Sequence, residues 1–297
     1  MTKKEEFKRK GYIVIKNAFK KEEITNIRNL CLEAFNEKEL KGSSKQTNSV
    51  RDRQLFTKEL IKKPKLINPL FNKKIIDEVR EVFGDDYITF AYFSLSNNLH
   101  SPIWHTDRQS FGYSNKIVYD PSFNVAKLGF YPQEDDKTFA GQLDVIPGSH
   151  LPTFLGVKSP ISTKIRRGKV SILQLLAMRI RNKLLGKISI KISPCDVILF
   201  HGLLLHRSSQ PDWNKVNQID GYGIESPPDE KRKFMFQWEV AENNEFANLY
   251  ANHQSQKQED IYKESTETSL EDFHDSTKSI IHSNNINIKG YSELKLI

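Results

Sequence analysis

Three side chains with metal-binding chemistry are candidates for a single site: His105, Asp107 and His206. His105 and Asp107 are two residues apart, so on an extended segment their side chains point to the same side. His206 lies far downstream and would supply a second imidazole. Two histidines and one carboxylate on one face of a metal leave the opposite positions open, which is the ligand set of non-haem Fe(II) oxygenases. A His-x-Asp pair alone is a weak signal, so the rest of the chain has to support it.

The elements that would position these ligands are mostly short strands. Alternating or β-branched apolar runs predict strands at 11–17, 87–95, 125–131, 142–150 (ending in a Pro-Gly turn), 187–193, 197–200 and 232–240. A 3.6-residue period predicts helices at 20–35 and 67–83, and polar stretches predict loops at 37–50 and 209–231. This order predicts a mainly β protein with flanking helices, a double-stranded β-helix (jelly roll, cupin-like).

The composition is that of a folded protein from a reducing environment. The 297 residues are 37% hydrophobic and 28% charged, which suffices for one large domain or two small ones. Only two cysteines occur, Cys31 and Cys195, which argues against a disulfide scaffold and a cysteine zinc site. The charged N-terminus lacks a signal sequence, and no apolar run is long enough to cross a bilayer. We therefore expect a cytoplasmic protein without a transmembrane segment.

Charge and polarity distinguish three parts of the chain. Residues 1–245 predict one jelly-roll domain with a basic insertion at about 151–187, and residues 246–297 predict a polar C-terminal extension of loosely packed helix or disorder. From Leu151 to Lys191 the chain has ten Lys or Arg and no Asp or Glu. Elsewhere 35 basic residues stand against 37 acidic ones, so this segment accounts for the net charge of +8. Such a segment is either a solvated insertion or a surface for an anionic partner.

Six short sequence motifs follow one another along the chain, and their order is informative. The chain carries Gly11-Tyr-Ile-Val-Ile-Lys-Asn-Ala-Phe19, Trp104-His-Thr-Asp107, Gly141-Gln-Leu-Asp-Val-Ile-Pro-Gly-Ser-His150, Asp196-Val-Ile-Leu-Phe200, His206-Arg-Ser208 and Arg232-Lys-Phe-Met-Phe236. In this order they resemble the phytanoyl-CoA dioxygenase family of Fe(II)- and 2-oxoglutarate-dependent oxygenases, over roughly residues 8–240. The two metal motifs with Pro-Gly-Ser-His between them are fairly specific, whereas any one of them alone is not.

The resemblance implies that His105, Asp107 and His206 hold Fe(II). The open positions on the metal would take 2-oxoglutarate and then O2. His201 is the alternative to His206, because it follows an apolar run, although a hydrogen-bonded histidine at a strand end is its ordinary role. His206 is favoured because Ser208 follows it with the family spacing.

The resemblance also implies a site for the cosubstrate. Arg232 would bind the distal carboxylate of 2-oxoglutarate through its planar guanidinium, with Ser208 as a further donor. The gap from His206 to Arg232 is longer than usual in the family, so Lys215 is the alternative. The implied reaction decarboxylates 2-oxoglutarate to succinate and CO2 and oxidises a substrate C–H bond. Asp107 favours hydroxylation or desaturation, since related halogenases lack this carboxylate.

The substrate is predicted to be a small or carrier-bound molecule. The basic segment favours an anionic substrate, such as a thioester of coenzyme A, or a peripheral contact with an acidic membrane through residues 151–191. Nucleic acid is not expected, because Phe154 is the only aromatic residue available there for stacking. The alternative from another class is a catalytically silent jelly-roll module that binds a glycan or an anionic ligand.

Overall fold

The structure, a computed structural model, covers most of the chain. The residues that it describes are 1–41, 54–97, 104–107, 120, 122–136, 138–139, 143–151, 186–209, 212, 215, 218–220, 223–224, 229–257 and 268–290. Almost all of the predicted basic insertion at 151–187 lies outside them. That insertion therefore stays a prediction from sequence.

The predicted helices and strands are present in the predicted order, together with further elements that the sequence patterns did not predict. The described helices are α1 (Lys3–Lys10), α2 (Lys21–Lys41), α3 (Thr57–Leu60), α4 (Pro64–Ile67), α5 (Lys73–Phe83), α6 (Glu245–Lys257) and α7 (Asp275–Ser283), with 3-10 turns at Asn68–Phe71, Asp229–Lys231 and Leu270–Asp272. The described strands are β1 (Tyr12–Ile15), β2 (Gln54–Phe56), β3 (Ile88–Asn97), β4 (Val125–Phe130), β5 (Leu143–Val145), β6 (Ile188–Ile190), β7 (Val197–His201), β8 (His206–Ser208), β9 (Gln218–Asp220), β10 (Gly223–Ile224), β11 (Phe234–Ala241) and β12 (Asn287–Lys289). None of these helices has the length and apolar composition needed to span a membrane.

Two sheets form the body of the protein. The main sheet has seven strands in the order β1-β7-β4-β11-β3-β12, with β2 also paired to β3. The second sheet has three strands in the order β6-β5-β8, and β9 and β10 form a separate antiparallel pair. The flanking helices and the two sheets, which do not close into a barrel, confirm the predicted jelly-roll class.

Side chains alternate between the two faces of the main sheet, as the two-residue period of a strand requires. Leu128 and Trp238 lie in the cluster that includes the buried residues of α2 and α5, so they occupy the helix-covered face. Phe200 lies in a different cluster, with Leu143 and Val145 of the second sheet. The space between the sheets is therefore an apolar interior, and it is where the candidate ligands are found.

His150 attaches the N-terminal helix to the turn that follows β5. Helix α1 begins with a capping box between Thr2 and Glu5 and ends at Gly11, whose φ of 80° is left-handed. The His150 Nε2 donates to the carbonyl of Lys8 at 3.1 Å. A Cβ at Gly11 would lie 2.5 Å from His150 Nδ1, so only glycine fits there without displacing the ring. The histidine of Pro-Gly-Ser-His thus has a structural role.

The helical predictions need two corrections. The expected single helix at 67–83 is instead α4, the 3-10 turn Asn68–Phe71 and α5. Pro69 within the turn cannot donate a helical hydrogen bond, and α5 begins anew where Asn72 Oδ1 accepts from the Ile75 N–H at 3.0 Å. Helix α2 continues to Lys41, into the predicted loop at 37–50, because its last turns consist largely of Glu, Lys and Leu, which favour helix.

The predictions for the last part of the chain also change. The expected loop at 209–231 contains β9 and β10. Beyond residue 245 the described part of the extension packs against the rest of the protein. Its largely polar sequence includes apolar residues that are buried, such as Ile281, which is 1% exposed. Strand β12 joins the main sheet, with Ile288 opposite Thr89 in a parallel pair with β3. The expectation of loose packing is therefore wrong for these residues.

Candidate metal centre

The structure brings His105, Asp107 and His206 together, and their potential ligand atoms all lie within 4.8 Å of one another. His105 and His206 form an antiparallel bridge in which each backbone N–H donates to the other's carbonyl at 2.9 Å. Their ring centroids are 4.3 Å apart. Backbone hydrogen bonds thus fix the spacing of two imidazoles that are far apart in sequence.

Asp107 is held by the connection between β7 and β8. Its N–H donates to the carbonyl of Gly202 at 3.0 Å. Its Oδ2 is buried and accepts no hydrogen bond from the described residues, while Lys127 Nζ lies at an ion-pair distance of 3.4 Å. Burial by itself would raise the pKa of Asp107, but Lys127 and the two imidazoles outweigh it and leave the pKa below its ordinary value. The side chain is therefore the carboxylate that a metal requires.

The hydrogen bond of His206 determines which ring nitrogen is available. Its Nδ1 lies 2.9 Å from the carbonyl of Leu204 and therefore donates to it. The Nε2 is then the lone-pair nitrogen, and the carbonyl fixes the orientation of the ring. Burial, and after it the neighbouring His105, lowers the pKa of His206 to about 4. The ring is neutral at physiological pH, as metal ligation requires.

Both ring nitrogens of His201 form hydrogen bonds with backbone groups. Its Nδ1 accepts from the N–H of Leu203 at 3.1 Å, and its Nε2 donates to the carbonyl of Phe123 at 3.1 Å. Burial, and after it His150, lowers the pKa of His201 to about 3. The geometry thus gives His201 the role of a hydrogen-bonded histidine at a strand end and favours His206 as the ligand candidate.

The candidates for binding 2-oxoglutarate occupy different environments. Ser208 is two residues beyond His206 on β8 and so shares its face of the strand. Arg232 is half-buried just before β11, and its carbonyl accepts from Arg28 Nη1 at 3.2 Å. The side chain of Lys215 is 66% exposed, with its Nζ 3.5 Å from Asp212 Oδ2. This surface position argues against Lys215. The role of Arg232 stays a prediction, because Arg232 precedes β11, whereas the β11 residue beside the triad, Glu239, is seven residues further along the chain.

Two charged residues beside the triad were not singled out from sequence: Lys127 on β4 and Glu239 on β11. They are direct partners across the antiparallel pair. Lys127 Nζ lies 3.5 Å from Glu239 Oε1. The sequence signal that could have found them is that Lys127 is the only charged residue of β4 and Glu239 the only charged residue of β11. Opposite charges buried in a sheet need each other as partners.

A second charged cluster supports the metal motif from the other face of β8. The Asp144 carboxylate accepts from Arg207 Nε at 3.0 Å and from Ser189 Oγ at 2.5 Å, and Lys187 Nζ is 2.9 Å away. The guanidinium of Arg207 lies 4.8 Å from the centre of the Trp104 ring. Since Trp104 precedes His105, this cluster helps to fix the start of the metal motif.

The donor set of this site fits a divalent iron ion. Two imidazoles and one carboxylate converge here, a ligand set that leaves metal positions free for exogenous ligands. The buried Asp107 Oδ2 without a hydrogen-bond donor is an acceptor that a cation would satisfy. Lys127 offsets part of the cost of burying this carboxylate, and a cation bound together with the two imidazoles would satisfy the acceptor that remains.

Comparisons with solved structures show the same fold. EctD from S. alaskensis in its apoform is 17% identical and has a TM-score of 0.51, with 80% of this chain and 75% of that chain covered. EctD with 2-oxoglutarate and 5-hydroxyectoine is 18% identical with a TM-score of 0.50, and the coverage is 80% and 74%. The non-heme monooxygenase ThoJ in its nickel complex is 14% identical with a TM-score of 0.50, covering 81% and 77%. At these identities the similarity concerns the fold alone.

The sequence comparison identifies the family. No curated protein matches the chain. The family model described as phytanoyl-CoA dioxygenase (PhyH) matches residues 7–212, which is more than half of the chain and includes all three candidate metal ligands. The chain therefore belongs to the phytanoyl-CoA dioxygenase family, whose cofactors are Fe(II) and 2-oxoglutarate.

Proposed function

We propose that the protein is an Fe(II)- and 2-oxoglutarate-dependent dioxygenase that hydroxylates a small or carrier-bound substrate and releases succinate and CO2. The observation that carries the proposal is the convergence of His105, Asp107 and His206 within 4.8 Å. A silent binding module would have no need of two imidazoles and a buried carboxylate brought this close together. The proposal includes a cytoplasmic location, which the free, buried Cys31 and Cys195 support.

Each residue of the proposed site has a distinct role. When bound, Fe(II) and 2-oxoglutarate supply the activation of O2 and the oxidation of the substrate C–H bond. His105, Asp107 and His206 hold the metal, and the Leu204 carbonyl keeps the His206 ring in the ligating tautomer. Arg232 and Ser208 bind the distal carboxylate of 2-oxoglutarate. The apolar residues between the sheets, such as Val145 and Phe200, exclude water from the reacting atoms.

Two observations support hydroxylation. The presence of the Asp107 carboxylate favours hydroxylation or desaturation, since related halogenases lack it. A similar fold, that of EctD, has been solved with 2-oxoglutarate together with 5-hydroxyectoine, a hydroxylated small molecule. We therefore propose hydroxylation, rather than another oxidation, as the reaction.

The basic segment supports an anionic group on the substrate. Replacing Arg166, Arg167 and Lys169 together with Ala is expected to raise the KM for an acyl thioester of coenzyme A and to leave kcat unchanged, because the change removes positive charge and none of the proposed metal ligands. An unchanged KM would contradict this part of the proposal and would leave the iron chemistry intact.

The test of the main proposal uses the visible charge-transfer band of an iron–2-oxoglutarate complex. Anaerobic apo-protein is mixed with Fe(II) and 2-oxoglutarate, and the same is done with His206→Ala and His201→Asn, whose folding is checked by circular dichroism. We expect the band in the wild type and in His201→Asn, and its loss in His206→Ala. A folded wild-type protein without the band would refute the oxygenase and favour a binding module for a glycan or an anionic ligand.

A further inference from the structure

A line of buried polar side chains leads away from the metal ligand Asp107. Lys127 Nζ lies 3.4 Å from Asp107 Oδ2 and 3.5 Å from Glu239 Oε1, so one ammonium group is shared by two carboxylates. The Lys127 side chain is 19% exposed and that of Glu239 is 3% exposed. Charges at this depth interact strongly, so the position of the ammonium affects both carboxylates.

The line continues into helix α6, which follows β11. The hydroxyl of Tyr250 donates to Glu239 Oε2 at 2.6 Å. Tyr250 is fully buried, and its ring centroid is 5.3 Å from that of Phe90 on β3. Helix α6 starts at Glu245, beyond the 7–212 range that defines the family match. An element outside the matched region thus reaches the site through two intermediate side chains.

The position of each side chain in this line depends on the hydrogen bond or ion pair that it forms with the next one. Tyr250 binds one oxygen of Glu239 and leaves the other oxygen for Lys127. Without that hydroxyl, Glu239 Oε2 would lose a hydrogen-bond donor, and the carboxylate would attract the ammonium of Lys127 more strongly, away from Asp107. A ligand carboxylate that loses its neighbouring ammonium is held less firmly in its orientation toward the metal.

We propose that Lys127 is a positioning residue for Asp107 and that Tyr250 positions Lys127 through Glu239, so that helix α6 is a part of the metal centre. This inference rests on the proposed function, since it requires a metal at the triad. It assigns a role in the site to a region that the family match does not include.

The test measures Co(II) binding by the visible absorption of the full-length protein, without turnover. Tyr250→Phe removes one hydroxyl and keeps the ring, and we expect it to weaken Co(II) binding by about tenfold. Tyr87→Phe is the matched control, because Tyr87 is also buried, at 4% exposure, but lies in the cluster on the helix-covered face of the sheet. It is expected to leave the affinity unchanged.

A double-mutant cycle separates the proposed line from a general loss of packing. Lys127→Met is expected to alter the Co(II) spectrum, and in that background Tyr250→Phe should have no further effect on affinity. Equal affinities of Tyr250→Phe and wild type, or a tenfold loss that persists in the Lys127→Met background, would overturn the inference alone. A wild-type protein that binds neither Co(II) nor Fe(II) with 2-oxoglutarate would instead refute the proposed function.

Discussion

The imidazoles of His150 and His201 pack against each other with ring centroids 5.0 Å apart. His150 donates to the carbonyl of Lys8 at the end of α1, and His201 donates to the carbonyl of Phe123 before β4. The pair therefore joins the N-terminal helix to the end of β7. Because Gly202 follows His201 and accepts from the N–H of Asp107, this packing also supports the metal ligand.

The first prediction concerns acid stability. Burial lowers the pKa of His201 to about 3 in the folded protein, whereas an unfolded histidine titrates near pH 6.5. Between these values the unfolded state binds the additional proton, so the contribution of His201 to stability is complete above pH 6.5 and decreases as the pH falls toward 3. The slope from one such group is about 1.4 kcal/mol per pH unit.

We therefore expect His201→Asn to be less stable than wild type at pH 7 and to lose stability less steeply between pH 6.5 and 4.5. Urea unfolding at several pH values measures, for each protein, the slope of the unfolding free energy against pH. The contributions of groups that titrate alike in both proteins cancel when one slope is subtracted from the other. Parallel slopes would show that His201 does not stay neutral in the folded state.

The second prediction concerns the contact between Gly11 and His150. Gly11→Ala would place a Cβ 2.5 Å from His150 Nδ1 at a residue with a φ of +80°. Left-handed backbone and overpacking together are expected to cost roughly 2–4 kcal/mol of unfolding free energy. Gly186→Ala is the control, because Gly186 also has a positive φ, of +68°, but nothing lies within 4 Å of its added Cβ. Equal losses in the two variants would exclude a role for the His150 contact.

The third prediction concerns the buried carboxylate behind the metal motif. Asp144→Asn leaves the cations of Arg207 and Lys187 without their shared counterion, and we expect it to cost about 3–5 kcal/mol, as measured by chemical denaturation. Asp77→Asn provides the comparison, because Asp77 and Lys73 form an exposed pair on α5 worth less than about 0.5 kcal/mol. A loss at Asp144 no larger than that at Asp77 would mean that this cluster is not stabilising.

The fourth prediction decides between Arg232 and Lys215. Arg232→Ala is expected to weaken 2-oxoglutarate binding by about ten- to a hundredfold, as the loss of a hydrogen bond to a charged group implies. Lys215→Ala should bind 2-oxoglutarate like the wild type, because its ammonium lies at the surface beside Asp212. Titration of the anaerobic charge-transfer band gives both affinities, and the reverse order would transfer the role to Lys215.

Local patterns in the sequence determined most of the strands and the composition of the metal motif. The strands containing Val14, Leu128 and Val197 were predictable, because alternation and β-branched runs depend only on neighbouring residues. The order of the Trp-His-x-Asp and His-x-Ser motifs likewise indicated the family before any distance was available.

Only the tertiary structure determined which side chains share an environment. The pairing of Lys127 with Glu239 follows from the register of β4 and β11, and the role of His201 follows from carbonyls and amides on other segments. Strand β12 was missed because its polar sequence gains stability from its parallel pairing with β3 rather than from its own periodicity. These features depend on contacts between distant elements, which the local periodicity of a sequence does not encode.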